Sequence, residues 1–86
     1  MSILVYKDVF ELSRVHEIID ELDNYPVFKS GKLMKDEEGP YLWLDFYEEI
    51  PVYYEGEEFI MMEVWKIREG KKFEFYPDVP KLIVEL

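Results

Sequence analysis

Turn signals divide most of the chain into short apolar runs, and this punctuation constrains the fold more than any other feature. From Val27 onward, breaks fall at Ser30-Gly31, Glu38-Gly39-Pro40, Glu55-Gly56, Glu69-Gly70 and residues 77–80. Glycine and proline at such positions favour tight turns. The runs between them are rich in aromatic and branched side chains, which favour strands, and they cover residues 32–35, 41–47, 59–67, 72–76 and 82–86. The pattern predicts successive antiparallel strands.

A strand and a helix are predicted before this series. Residues 3–6 have the composition of a strand, from Ile3 to Tyr6. Asp8 precedes Glu11 at the spacing of a capping box, so we expect the helix to begin at Asp8. It ends before Pro26, because the residue before a proline resists the helical conformation. Apolar residues at three- and four-residue steps form the stripe expected to pack on the sheet: Leu12, Val15, Ile18, Ile19 and Leu22.

These patterns predict an α+β fold in a single domain over residues 1–86. The expected order is a β-α unit followed by an antiparallel β-meander, with the one helix packed on one sheet face. A length of 86 residues suits one domain with a modest core. A small half-closed β-barrel is the alternative, because one helix covers one face and the strands at 41–47 and 59–67 carry large apolar side chains on both.

The uncovered face of those two strands is the candidate interaction surface. Alternate residues of a strand point to the same side, so the odd-numbered residues of each strand are expected to form one aromatic platform if the strands pair. A large exposed apolar patch usually marks an interaction site. The predicted partner-binding residues are Tyr41, Trp43, Asp45, Tyr47, Glu48, Glu49, Met61, Glu63 and Trp65.

The negative charge is confined to the same part of the chain. Residues 36–63 hold ten acids and no lysine or arginine, whereas the rest of the chain holds ten acids and ten bases. Such a segment repels nucleic acid and acidic membranes and attracts a basic protein. Neighbouring aromatic rings can stack on the lysine and arginine side chains of that protein. The alternative is that the acids only keep the sheet soluble and its edges unpaired.

The expected function is therefore a non-catalytic protein–protein interaction module that presents an acidic aromatic face to a basic protein. An inhibitor that imitates nucleic acid is the most specific version, because carboxylates along a strand can take the place of phosphates. A homodimer that uses the aromatic face is a competing interpretation, in which the acids only solubilise the protein. A small carboxylate-based hydrolase is a third.

The residues that usually carry catalysis are sparse. The chain has no cysteine, which excludes disulfides, thiolate nucleophiles and iron–sulfur ligation. The single histidine, His16, has Asp20 four residues later, which makes a weak metal site at most. No serine lies in a nucleophile elbow, and neither a glycine-rich phosphate loop nor a calcium loop is present. We therefore expect no enzyme activity, no metal and no cofactor.

The rest of the sequence bears on the location of the protein and on other classes of partner. The apolar run at residues 1–7 is shorter than a secretory signal, and no stretch approaches the roughly 20 apolar residues that span a bilayer, so a cytoplasmic protein without a membrane partner is expected. A basic cluster at residues 66–72 lies beside aromatic rings, but the acidic segment argues against nucleic acid. Abundant Glu and Lys without Thr or Gln match a hyperthermophile, or an AT-rich genome.

Overall fold

The computed structural model describes residues 4–86, and over that range it contains one α-helix and one mostly antiparallel, strongly curled sheet. The α+β prediction is confirmed in this coarse form, and the curl gives the sheet the half-barrel shape of the alternative. The elements are β1 (Tyr6–Val9), a 3₁₀ turn (Leu12–Arg14), α1 (Val15–Leu22), β2 (Phe28–Asp36), β3 (Gly39–Glu55), β4 (Glu58–Arg68), β5 (Lys72–Tyr76) and β6 (Lys81–Val84).

The strands do not form one continuous meander. β2, β3 and β4 pair in sequence, but the strand order is β1-β5-β6-β3-β2, with β4 also paired to β3. β6 runs parallel to β3, with Leu82 opposite Val52, and it pairs with β3 beyond the point where β2 leaves at Phe46. The simple meander is therefore wrong beyond β4, because a β5–β6 hairpin fits between β1 and β3.

The helix begins later than its sequence signal predicts. Asp8 lies in β1, and its carboxylate accepts hydrogen bonds from Arg14 Nε at 3.0 Å and Nη2 at 2.9 Å. Such a charge-assisted, bidentate contact is stronger than a neutral N-cap hydrogen bond. The prediction that Asp8 caps the helix is therefore wrong. The predicted strand at residues 3–6 overlaps β1 only at Tyr6, and Ile3 lies outside the described residues.

The core fills the inner face of the curled sheet, beneath α1. Val15, Ile18 and Leu22 are buried as predicted, and Ile19 packs against them, whereas Leu12 is 45% exposed because it precedes the helix. Gly31 of β2 allows close approach, since a Cβ there would lie 2.9 Å from Ile19 Cγ1. The remaining buried residues are Phe10, Phe28, Leu42, Leu44, Phe46, Ile50, Val52, Ile67, Phe73, Phe75, Leu82 and Val84.

A wide bulge divides β3 into two halves. Asp45 pairs with Val64 and Ile50 pairs with Met62, so residues 46–49 lie opposite Glu63 alone. A bulge bends its strand and increases the local twist. It therefore contributes to the curl of the sheet, and it separates the second half of the β3–β4 hairpin, which carries Glu55, Glu57 and Glu58.

Candidate interaction surface

At the end of the β3–β4 ladder where β3 also pairs with β2, acidic side chains of the outer face have basic partners. Arg68 donates from Nη1 and Nη2 to the two carboxylate oxygens of Asp36 at 2.8 and 2.7 Å, and Lys66 Nζ lies 3.4 Å away. Arg68 also lies 2.9 Å from Glu38. The hydrogen bonds from Arg68 hold the pKa of Asp36 well below its usual range. Asp36 and Glu38 of the acidic segment are therefore neutralised by Arg68, with Lys66 beside Asp36. Both cations belong to the basic cluster at residues 66–72, which is distant from these acids in the sequence.

The aromatic side chains on this part of the sheet already have cations beside them. Lys66 Nζ lies 4.4 Å from the centre of the Tyr41 ring, and Arg68 Cζ lies 5.1 Å from it. Trp43 meets Tyr41 edge-on, with ring centres 6.4 Å apart. Lys32 and Lys66 occupy the positions across from Trp43 on the two neighbouring strands. These rings are therefore poorly placed to receive the cations of another protein.

Six glutamates without ion pairs among the described residues lie at and beyond the bulge, at the other end of the ladder. We call residues 48–63 the acidic hairpin; it contains the bulge acids, the second half of β3, the turn and the first half of β4. Across residues 4–86, no lysine or arginine lies within ion-pairing distance of its six glutamates. All six are exposed: Glu48, Glu49, Glu55, Glu57, Glu58 and Glu63.

The same hairpin exposes apolar side chains on an unpaired strand. Phe59, Ile60 and Met61 are 52, 46 and 45% exposed. The Phe59 ring packs on Tyr53, with centres 5.1 Å apart. Within the described part of the chain β4 pairs only with β3, so its second edge is free. Sequence reasoning missed Phe59, Ile60 and this edge, although an apolar run between Glu58 and Glu63 that lacks lysine was a usable signal.

The structure divides the predicted site residues into two groups. Glu48, Glu49, Met61 and Glu63 belong to the acidic hairpin, and Tyr47, which is 66% exposed, immediately precedes it. The other four lie towards β2 in the ladder: Tyr41, Trp43, Asp45 and Trp65. The structure therefore places an acidic surface and an aromatic surface side by side, rather than one combined face.

The expectation that Trp65 shares a face with Trp43 is wrong. Trp65 lies opposite Leu44 and packs against the core, whereas Trp43 lies opposite Lys66 on the outer face. The irregularity at Glu63 is the reason, because it reverses the alternation of β4 between its two halves. Strict alternation carried through this point therefore assigns Trp65 to the wrong side of the sheet.

Both tryptophans nevertheless line one shallow depression at the bulge. Its volume is about 220 Å³, and it is lined by Trp43, Met62, Val64, Trp65 and Lys66. No carboxylate is among these residues, so this depression does not supply the acid–base pair that a carboxylate-based hydrolase needs. Its walls are instead suited to apolar contact with another molecule.

The predicted chemistry of the remaining residues is limited. His16 and Asp20 are both exposed on α1, and no group of three or more potential metal-binding side chains occurs in residues 4–86. No helix in that range is long and apolar enough to cross a membrane. No family model matches the chain, and neither does any curated protein or solved structure.

Proposed function

We propose that this chain is a non-catalytic interaction module whose acidic hairpin binds a basic protein. The observation that carries the proposal is a cluster of exposed glutamates, without ion pairs in residues 4–86, around exposed apolar side chains. Asp8 is paired with Arg14, and Asp36 with Arg68. The six glutamates of the acidic hairpin have no such partner within the described residues, although they surround exposed apolar side chains.

The two kinds of side chain have separate roles in binding. Clustered carboxylates raise the rate at which a basic protein arrives, because they attract it over a distance set by the ionic strength. Apolar contacts act after arrival and slow dissociation. Phe59 and Met61 provide this contact area on β4, and the exposed Tyr47 ring can stack on a lysine or arginine.

The test is an affinity capture from extract of the native host with three versions of the protein. The first is the wild type, and the second is Glu57→Lys with Glu58→Lys. The third is a charge-matched control, Glu11→Lys with Asp20→Lys, which changes two exposed acids outside the hairpin. A basic protein captured by the wild type and the control, but not by the hairpin variant, supports the proposal. Equal capture by all three, or a partner that is not basic, contradicts it.

Mimicry of nucleic acid is the finer form of this proposal, and it has its own test. Repeated carboxylates can occupy a surface that otherwise holds phosphates, so a captured protein of this kind should bind either the module or nucleic acid. Increasing amounts of single- or double-stranded DNA should then release the module from its partner. A complex that holds both at once would retain the interaction module and remove the mimic.

A further inference from the structure

The free edge of β4 lacks the lysines that line the free edge of β2. An unpaired strand exposes a row of backbone N–H and C=O groups that can pair with another chain, and proteins usually protect such edges with charged side chains, lysine above all, or with proline. β2, at one end of the strand order, carries exposed lysines at positions 29, 32 and 35. The first half of β4 carries no lysine or proline, and its Phe59, Ile60 and Met61 are exposed.

The charges around this edge select what can pair with it. The apolar run at residues 59–62 is bounded by Glu58 on one side and Glu63 on the other, and both are exposed. An added strand that matches the run therefore has one residue opposite each glutamate. Opposite charges favour such cross-strand pairs, and like charges directly opposite one another disfavour them.

A second copy of the chain is a poor occupant by this criterion. Directly opposite residues of an antiparallel pair lie on the same face of the sheet, so a two-fold axis between two β4 strands passes at Ile60 or at Met61. Glu63 of one copy then lies opposite Glu57 of the other copy, or one position away from its Glu58. The formal charge of −10 on each copy adds to this repulsion. Self-pairing therefore buries the apolar residues only by bringing glutamates together.

We propose that β4 accepts an extended segment of the basic partner as an additional strand of the sheet. The segment has lysine or arginine opposite Glu58 and Glu63, with four apolar or β-branched residues between them. Backbone hydrogen bonds along β4 provide affinity in this mode of recognition, and the alternating side chains provide specificity. The inference rests on the proposed function, because it describes how the basic partner of the acidic hairpin binds.

The probe is the capped peptide Lys-Val-Thr-Val-Thr-Lys, titrated into the wild-type protein and followed by NMR. We expect shifts and slower amide exchange in residues 58–63, with residues 29–35 of β2 as the internal reference. Two analogues carry N-methyl groups on alternate residues. Because successive amides of a strand point to opposite edges, one analogue loses its bonds to β4 and should bind about tenfold more weakly, while the other keeps them.

Charge reversal tests the flanking pairs. Glu58→Lys with Glu63→Lys should lose the lysine peptide and bind Glu-Val-Thr-Val-Thr-Glu instead. The control Glu11→Lys with Asp20→Lys should behave like the wild type, because both of its changes lie outside the hairpin. The reversed residues are exposed, and thermal unfolding of each variant confirms that the fold is retained before titration.

The possible outcomes separate this inference from the proposed function. Protection of β4 together with unequal binding of the methylated peptides supports strand addition. Equal binding of both analogues, or no response of β4 at millimolar peptide, overturns it, while the capture experiment still decides whether a basic partner exists. Concentration-dependent dimers with β4 protected in the protein alone would overturn it in favour of a second copy.

Discussion

Arg14 holds the carboxylate of Asp8 through two hydrogen bonds, with Nε 3.0 Å from Oδ1 and Nη2 2.9 Å from Oδ2. Asp8 lies in the edge strand β1, and Arg14 immediately precedes α1. The Tyr6 hydroxyl donates to the same carboxylate at 2.5 Å. The contact therefore fixes the start of the helix against the edge of the sheet, and it replaces the capping bond that the sequence suggests.

Removing this carboxylate should destabilise the protein. Asp8→Ala removes the charge-assisted hydrogen bonds of the half-exposed Arg14 side chain. We therefore expect the free energy of unfolding to fall by about 1 to 2 kcal/mol. Urea denaturation measures the change. Glu17→Ala is the matched control, because it removes only an exposed ion pair with the same arginine at 2.9 Å, which should cost about 0.5 kcal/mol or less. Equal losses in the two variants would contradict a special role for Asp8.

The same pair predicts a loss of stability in acid. Burial alone raises the pKa of Asp8, but hydrogen bonds from Arg14, Tyr6 and the Val9 amide outweigh it and lower the pKa below its ordinary value. The stabilisation is therefore complete above the unfolded pKa of about 4 and is lost as pH falls through the lower folded value. Urea midpoints measured from neutral to acidic pH should fall less steeply for Asp8→Asn than for the wild type. Parallel curves would contradict this; Asp36 contributes a fall of the same sign in both proteins.

The close contact between β2 and α1 should not tolerate a side chain. In Gly31→Ala, the new Cβ would lie 2.9 Å from Ile19 Cγ1 and 3.2 Å from Phe28 Cζ. Overpacking of this kind typically costs about 1 to 3 kcal/mol. Ser30→Ala is the control, because Ser30 pairs with Asp45 on the outer face. A melting temperature for Gly31→Ala equal to that of the control would mean that the helix shifts at no cost.

The two tryptophans should contribute unequally to stability. Trp65 packs against the core, so Trp65→Ala should cost about 2 kcal/mol or more. Trp43 lies on the outer face beside Lys66, and Trp43→Ala should cost clearly less. Chemical denaturation of both variants, together with the wild type, compares them directly. The opposite ranking would mean that the assignment of faces is wrong.

If the acidic hairpin binds a basic protein as proposed, this binding should depend on salt mainly through the rate of association. As ionic strength rises past about 0.1 M, the screening length falls below about 10 Å and long-range steering weakens. Stopped-flow measurements should show slower association with rising salt and a smaller change in dissociation. Glu57→Lys with Glu58→Lys should flatten this dependence, and Glu11→Lys with Asp20→Lys should flatten it less. A salt-independent association rate would leave the acids as solubilising groups.

Local sequence signals predicted the strands better than their arrangement. The turns at Gly39, Gly56 and Gly70 have positive φ angles, as glycine permits, and β5 has the predicted bounds. β3 continues past Tyr47 through Glu48, Glu49 and Pro51, which are poor strand formers. Burial of Ile50 and Val52 stabilises this extension, and such tertiary packing overrides local propensity. The β1–β5 and β3–β6 pairings join distant segments, for which the sequence contains no local signal.

The geometry of the candidate surface was predictable only in part, for a similar reason. Charge is a property of the sequence itself, so the acidic residues were found without a structure. Which acids are neutralised depends on the fold, because Arg68 reaches Asp36 only across the paired strands. The face of Trp65 depends on one irregular residue, Glu63. Alternation predicts faces only while the ladder is regular.

The parallel pairing of β6 with β3 has a consequence for how the chain folds. β2, β3 and β4 join neighbouring segments and can form by closing short loops. β1 meets β5 across most of the chain, with Tyr6 opposite Phe75, and β6 joins β3 with Leu82 opposite Val52. Closing long loops costs more entropy and slows folding. The three-stranded unit should therefore assemble first, and the edge of β3 at Val52 and Tyr53 should stay unpaired until β6 arrives.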